Sequence, residues 1–428
     1  MRFFYNLGIY FYALLARIFA LFSPKAKLFV EGREAWADKL SQQLAHLRAH
    51  AQENKLIWLH SASLGEFEQG RPVLEALREA FPENLIVLSF FSPSGFEVLK
   101  NYPKADLVCY LPLDTPKNAH HFVQLLKPSL ALFVKYELWF NLLDALKEAE
   151  VPTVVFSAIF RPKQFFFKFY GAWARPTLQN ITHFFVQNDE SKQLLAQIKV
   201  EQTTVLGDTR FDRVWQIKQE AQPQMPDYKP IKYFKSNKPL LVLGSAWLPD
   251  IALWAEVFAS QKFDFKLLIA PHELKGQQMA EMNNLLNKKA GLKSLFYTQK
   301  PSQEVLESSD VLFLDTIGML SRVYQFADLA YVGGGFGVGI HNTLEAAVWG
   351  IPVSFGPLYK KFFEAVRLVE LGIASSLSTP RAAASWLEVC QDKPKLNDIQ
   401  SRSLSFFESQ LGASTQIVNF CKKIIVQG

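Results

Sequence analysis

The chain predicts an α/β protein made of two doubly wound parallel-sheet domains, and three observations carry that expectation. Its 428 residues exceed the roughly 250–300 residues at which single cores stop growing. Short apolar runs alternate with helical patterns, the order that builds a parallel sheet with helices on both faces. A polar, proline-rich stretch then interrupts the alternation, which restarts beyond it.

Strands are expected at 56–59, 85–90, 107–111, 130–134, 153–157 and 183–186, with helical patterns such as 66–81 and 117–127 between them. The stretch Gln216–Pro239, which holds QPQMPDYKP and SNKP, reads as a linker. Strands resume at 240–243, 266–269, 311–314, 329–332 and 352–355. The domains are therefore placed at 25–215 and 240–400, with the linker at 216–239. The amphipathic stretch 401–428 is expected to form a helix packing back on the first domain. Open α/β sheets bind ligands at the carboxyl ends of their strands, so two such domains are expected to face a cleft there.

Composition narrows the function. Hydrophobic residues make up 49% and charged residues 20%, which is globular. The three cysteines, Cys109, Cys390 and Cys421, form neither a metal motif nor a disulfide framework. The net charge is +6, and residues 1–50 hold seven Lys/Arg against three Asp/Glu. A basic, apolar N-terminus favours an anionic membrane surface, and no nucleic-acid signature is present.

Residues 1–24 are expected to form a membrane-associated helix. Residues 3–22 are long enough to span, and no small-residue cleavage site follows. At 100° per residue Arg2, Asn6, Tyr10, Ala13 and Arg17 share one stripe, which suits a helix lying in the interface. Spanning, and packing on the protein's own body, are the alternatives. A second candidate for membrane contact is the segment 161–175, where Phe alternates with Arg161, Lys163, Lys168 and Arg175. An ordinary helix with one buried Phe face would produce the same pattern.

Five motifs follow expected strands. His60-Ser61-Ala62-Ser63-Leu64-Gly65-Glu66 reads either as a capping box, with Ser63 as N-cap and Glu66 at the third position, or as a loop presenting a general base. Ser92-Pro93-Ser94-Gly95 reads as a helix start. Tyr136-Glu137-Leu138-Trp139 sets a carboxylate beside an indole, either at a helix N-terminus or gripping a sugar. Gly207-Asp208-Thr209-Arg210 offers a cation that meets a phosphate or merely closes a turn. Gly333 to Glu345 is the densest signal: five glycines in seven residues, then a helix whose free N–H groups suit a phosphate. Asn342 and Glu345 also fit a capping box, and no Gly-Lys-Ser/Thr follows, so this is not a P-loop.

Together these segments resemble a known family. The Gly-rich loop with His-Asn-x-x-Glu and the later Phe355-Gly356-Pro357 turn look like the nucleotide site of GT-B glycosyltransferases. Ser63–Glu66, Ser92–Gly95, Leu111–Asp114, Gly207–Asp212 and Gly337–Glu345, in this order, resemble the bacterial 3-deoxy-D-manno-octulosonic acid (Kdo) transferases. The resemblance implies inverting transfer of Kdo from CMP-Kdo to a hydroxyl of a lipid A precursor (lipid IVA), without metal or cofactor, at the cytoplasmic face of the inner membrane. It implies Glu66 as base, with Ser63, Gly65, Ser92 and Glu137 on the acceptor side. It assigns Arg210, His272, Gly337, Gly339, Asn342 and Glu345 to the donor. Other nucleotide sugars, or a sugar-nucleotide epimerase of the same fold, are the competing readings. The sequence departs from the family pattern at Lys135, Trp247, the Pro271-His272-Glu273 segment and Ile340.

Overall fold

The structure is a computed structural model that describes residues 1–49, 55–222, 224–260, 264–337 and 339–427. The chain divides into two compact units, Met1–Arg213 with Gln410–Gly428, and Val214–Ser409.

The first unit holds seven strands: β1 Leu56–Ser61, β2 Leu85–Phe90, β3 Leu107–Tyr110, β4 Leu130–Val134, β5 Thr153–Ala158, β6 His183–Val186 and β7 Thr203–Val205. They form one parallel sheet in the order β3-β2-β1-β4-β5-β6-β7. Successive side chains alternate between its faces. Trp58, Val87, Ala131, Phe133 and Val155 join the core on one side; Ile57, Leu59, Ile86, Leu88 and Leu132 join the core on the other.

The second unit is built in the same way from β8 Leu240–Ala246, β9 Lys266–Pro271, β10 Ser294–Phe296, β11 Val311–Phe313, β12 Leu329–Val332, β13 Val353–Phe355 and β14 Ala374–Ser376. Its parallel order is β10-β11-β9-β8-β12-β13-β14. In each unit the winding reverses beside the first strand, between β1 and β4 and between β8 and β12. Those are the points where loops diverge and leave room for a ligand.

Three features differ from the sequence reading. The stretch 216–239 is not an extended linker: Arg210–Gln219 is a helix running into it, and the helix Lys229–Lys235 buries Ile231 and Phe234 in the second unit. The C-terminal stretch is two helices, Lys393–Ser409 in the second unit and Ala413–Gln427 in the first. The break falls at Gly412, whose φ of +98° favours glycine. There the Asp212 carboxylate accepts from the N–H groups of Gly412 and Ser414, both at 2.7 Å, and starts the last helix. That helix buries Ile417, Val418 and Cys421 against the first sheet.

The N-terminal helix Arg2–Ala20 is the third difference. Its length and composition would let it cross a membrane, and none of it is buried. The sequence pattern turns its polar stripe toward headgroups, but Arg2 and Asn6, with Tyr5, face the protein. Arg2 pairs with Asp144, Tyr5 donates to Asp114 at 2.6 Å and Asn141 donates to Asn6 at 2.9 Å. The opposite side presents Phe3, Phe4, Leu7, Phe11, Leu14, Ile18 and Phe19 to solvent. Tyr10 and Arg17 remain exposed.

Asp114 is the buried hinge of this arrangement. Besides Tyr5 it accepts from the backbone N–H groups of Asn141 and Leu142 at 3.0 and 2.9 Å, capping the helix Phe140–Glu148. Asp114→Ala strands three donors and should cost about 3 kcal/mol of stability in urea titration. A loss below about 0.5 kcal/mol, the level of an ordinary surface substitution, would contradict this anchoring.

Candidate active site

In the first unit the loops after β1, β2 and β4 converge on one edge. After β1 the chain turns at Ser63 into the helix Leu64–Ala80, with Glu66 in its first turn. Glu66 Oε2 accepts from the Ala62 N–H at 3.0 Å, while the Ser63 hydroxyl makes no capping bond. The reciprocal capping box is therefore not formed. A side chain built on Gly65 would meet no protein atom, so the surface above it is open. Ser92 caps the helix Pro93–Leu99 through its hydroxyl, and its own N–H reaches the Ala62 carbonyl at 2.7 Å, which ties the two loops together.

After β4 comes Lys135, a non-glycine residue at φ +62°. Such a conformation persists only where its surroundings hold it; here its N–H bonds the Phe156 carbonyl at 2.8 Å. Glu137 follows, its Oε2 accepting from the Trp139 indole at 3.1 Å. The same oxygen lies 3.9 Å from Nε2 of His60, which is wholly buried at the end of β1. Burial raises the Glu66 carboxyl, opposed by Lys135 and the Ala62 N–H. Burial, and then the charge of Glu66, push Glu137 up to about 8. Burial holds His60 down to about 3, so the imidazole is neutral. With two carboxyls sharing one region, ionisation of Glu66 opposes ionisation of Glu137.

Arg210 lies in the same unit. Burial alone would raise Asp208, but the Arg210 guanidinium and donated hydrogen bonds hold it below the usual range. Arg210 forks onto Asp208 at 2.9 and 2.7 Å, and Gln69 adds a bond at 2.8 Å. Much of the charge assigned to a phosphate is thus compensated internally.

In the second unit Gly337, Gly339, Asn342 and Glu345 share the loop after β12. The N–H groups of Gly337 and Gly339 turn inward to the Gly334 carbonyl, both at 3.1 Å. The Gly334 N–H is itself held by buried Asp250 at 2.9 Å. Among the described residues, the N–H groups of Asn342 and Thr343 are left without an acceptor. Asn342 accepts from the Leu344 N–H at 3.2 Å and donates to Glu345 at 2.9 Å. The helix behind them is only four residues, Leu344–Ala347, shorter than the sequence suggested. Local N–H groups rather than a long dipole would therefore receive an anion.

His272 stacks on His341 with centroids 4.1 Å apart, and Trp247 stacks on His272 at 4.5 Å. Trp247 also donates to His341 Nε2 at 3.0 Å. Burial, with His272 nearby, lowers His341 to about 4. A cavity of about 140 Å³ opens beside them, lined by Trp247, Pro249, Asp250, Gly334, Phe336 and Gly337. The sequence reading assigned no role to His60, Trp247, His341 or Lys361. Lys361 lies over the loop, since a Cβ built on Gly339 would come within 2.7 Å of its Cε. Two lysines after a turn give no signal distinguishing them from a solvated surface. Among the described residues no group of three or more His, Cys, Asp and Glu is placed to hold a metal ion.

Solved structures with this two-unit architecture include UDP-N-acetylglucosamine 2-epimerase from Neisseria meningitidis (TM-score 0.60, 10% identity, 87% of this chain and 100% of that one). Another is a glycosyltransferase from Rickettsia africae (TM-score 0.57, 11% identity, 87% and 99%). At such identities the likeness concerns the fold, which is of the GT-B type. Residues 34–213, which hold Glu66, Glu137 and Arg210, match the family described as 3-deoxy-D-manno-octulosonic-acid transferase (kdotransferase). The chain is 29% identical to a 3-deoxy-D-manno-octulosonic acid transferase of Aquifex aeolicus (71% of this chain, 77% of the relative). It is 26% identical to one of Chlamydia muridarum (83% of each). The chain is a glycosyltransferase of GT-B architecture. Over residues 34–213 it is similar to the Kdo transferases.

Gly339 tests the loop geometry independently of chemistry. At φ +119° its backbone takes a conformation that L side chains rarely adopt, and a Cβ there would displace the Lys361 and Phe362 side chains. Gly339→Ala should cost about 1–3 kcal/mol in chemical denaturation, and a variant as stable as wild type would contradict the described loop.

Proposed function

We propose that this enzyme transfers Kdo from CMP-Kdo to a hydroxyl of a lipid A precursor (lipid IVA) with inversion, Glu66 acting as general base. The observation that carries the reading is Glu66 itself. It is a half-buried carboxylate in the first turn of the helix after β1, inside the segment that matches the family. Beside it the space over Gly65 is open.

In the proposed step Glu66 takes the proton of the acceptor hydroxyl as that oxygen bonds the anomeric carbon. The bond from that carbon to the CMP phosphate breaks, and CMP leaves with the electron pair. Inverting displacement asks mainly for positioning, one base and charge stabilisation at the leaving group. On the donor side the N–H groups of Asn342 and Thr343, with Lys361, are suited to the phosphate. Asn342 and Glu345 fix the loop that carries them.

Glu66→Gln should lower transfer by about 10²–10⁴-fold, the usual worth of a general base, with CMP binding by calorimetry near wild type. Activity within a few-fold of wild type would remove Glu66 from the role.

We further propose that the enzyme works at the cytoplasmic face of the inner membrane, docked through its first unit. The helix Arg2–Ala20 supports this, with Arg2, Tyr5 and Asn6 satisfied by protein and its large apolar residues outward. So does the neighbouring segment of two 3₁₀ turns, Phe165–Phe167 and Phe169–Ala174. Its Trp173 lies 6.1 Å from the Tyr5 ring, and Phe169 is 90% exposed. Arg175, counted among the lipid-facing cations from sequence, instead bonds the Phe166 and Lys168 carbonyls at 3.0 and 3.2 Å. Lys163→Glu with Lys168→Glu should weaken binding to anionic liposomes at low salt, each charge contributing about 1 kcal/mol. Equal co-sedimentation of double mutant and wild type would rule out docking by this segment.

A further inference from the structure

The helix Arg2–Ala20 buries no residue of its own, so a short set of polar bonds and ring contacts seats it on the first unit. Those contacts fall on the loops after β4 and β2, which carry Glu137 and Ser92. In the first turn Arg2 donates to the Phe140 carbonyl at 2.7 Å, and the Tyr5 ring meets the Phe140 ring edge-on at 5.1 Å. The Asn141 side-chain amide spends one hydrogen on Asn6 Oδ1 at 2.9 Å and the other on the Asp114 carbonyl. About two turns further on, the Tyr12 ring lies along Phe91, with centroids 6.3 Å and planes 28° apart. Phe91 in turn packs on Trp139 at 4.6 Å. The contacts close a ring that runs from the helix through Phe140, Trp139 and Phe91 and back to the helix.

The start of the helix Phe140–Glu148 depends on this ring. Its N-cap is Trp139, whose side chain makes no capping bond. The N–H groups of Asn141 and Leu142 turn instead to the Asp114 carboxylate. Oδ2 of that carboxylate accepts from the Asn141 N–H at 3.0 Å and from the Tyr5 hydroxyl at 2.6 Å. Tyr5 thus holds the group that holds the helix start, and Trp139 at that start donates to Glu137 at 3.1 Å. On the other loop Phe91 precedes Ser92, whose N–H bonds the Ala62 carbonyl at 2.7 Å, next to the Ala62 N–H that Glu66 accepts. Tyr5 and Tyr12 both lie outside the matched segment 34–213.

We propose that the helix Arg2–Ala20 is a working part of the acceptor site, with Tyr5 and Tyr12 as positioning residues for the loops after β4 and β2. The proposal rests on the transferase reading above. An anchor needs only an outward apolar face, and Phe3, Leu7 and Ile18 supply one. Anchoring has no use for a buried carboxylate shared between this helix and the start of another. The helix that meets the bilayer thereby also shapes the place where the lipid substrate reacts.

The test separates the two roles in the full chain. Tyr5→Phe removes one hydroxyl and keeps the ring. Without substrate, the amides of Asn141 and Leu142 should exchange hydrogen about tenfold faster in this variant, the effect of one lost bond to a charged group. Amides of β1 should keep their wild-type rates. Tyr12→Leu should do the same to the Ser92 amide. Leu7→Ser, on the outward face, should weaken binding to phosphatidylglycerol vesicles and leave the Asn141 and Leu142 exchange unchanged. With CMP-Kdo and a lipid A precursor in detergent, where no bilayer is offered, Tyr5→Phe should lower kcat/KM for the acceptor about tenfold and leave KM for CMP-Kdo unchanged. Added to Asp114→Ala, Tyr5→Phe should lower it little further, because its partner is already gone. Unchanged exchange or unchanged acceptor kcat/KM in Tyr5→Phe overturns the proposal. Faster exchange throughout the first unit overturns it too, since that marks a general loss of stability. If wild type shows no transfer from CMP-Kdo, the transferase reading fails, while the exchange arm still decides whether the helix holds the loops.

Discussion

Two carboxyl groups taken out of water into one region cannot both ionise without large cost, and the loops after β1 and β4 put Glu66 and Glu137 in that position. The rest of the first unit's edge is arranged around the consequence. Lys135 supplies the cation that favours ionisation of both. Trp139 donates to one oxygen of Glu137, and the His60 ring lies 3.9 Å from the same oxygen. The parallel sheet makes the arrangement possible. Its strands bury every side chain from Leu56 to Ser61 and from Leu130 to Val134. Polar function is therefore confined to the turns beyond their carboxyl ends.

The two units share that plan and apply it differently. The first sets partly buried carboxyls after β1 and β4. The second closes its Gly-rich turn on itself, with Asp250 holding Gly334 and the Gly334 carbonyl receiving Gly337 and Gly339. The glycines therefore serve the fold of the loop, and the groups left to meet a ligand are those just beyond it. Trp247 and the two stacked histidines form a wall beside it.

Much of the fold was legible because long central strands carry unbroken apolar runs bounded by turns. The strands missed were β7, β10 and β14, three residues each and at sheet edges, too short to show a period. The helix Lys229–Lys235 was hidden by prolines and lysines around two buried apolar residues. At the site, Glu66 and Glu137 were visible as carboxylates after strands. Their coupling was not, because it depends on how far each is buried and on what charge lies across the loop. Arg210 shows the converse: a cation in a suggestive motif whose partner, Asp208, sits two residues away and takes its fork.

Inverting Kdo transfer is tested most directly on the product itself. Purified protein should be incubated in detergent with CMP-Kdo and a tetra-acylated lipid A precursor, and the lipid analysed by mass spectrometry and NMR. The expected result is a gain of whole Kdo units on the lipid, with the anomeric configuration opposite to that of the donor. Retained configuration, no gain on the lipid, or release of free sugar without an acceptor would contradict it.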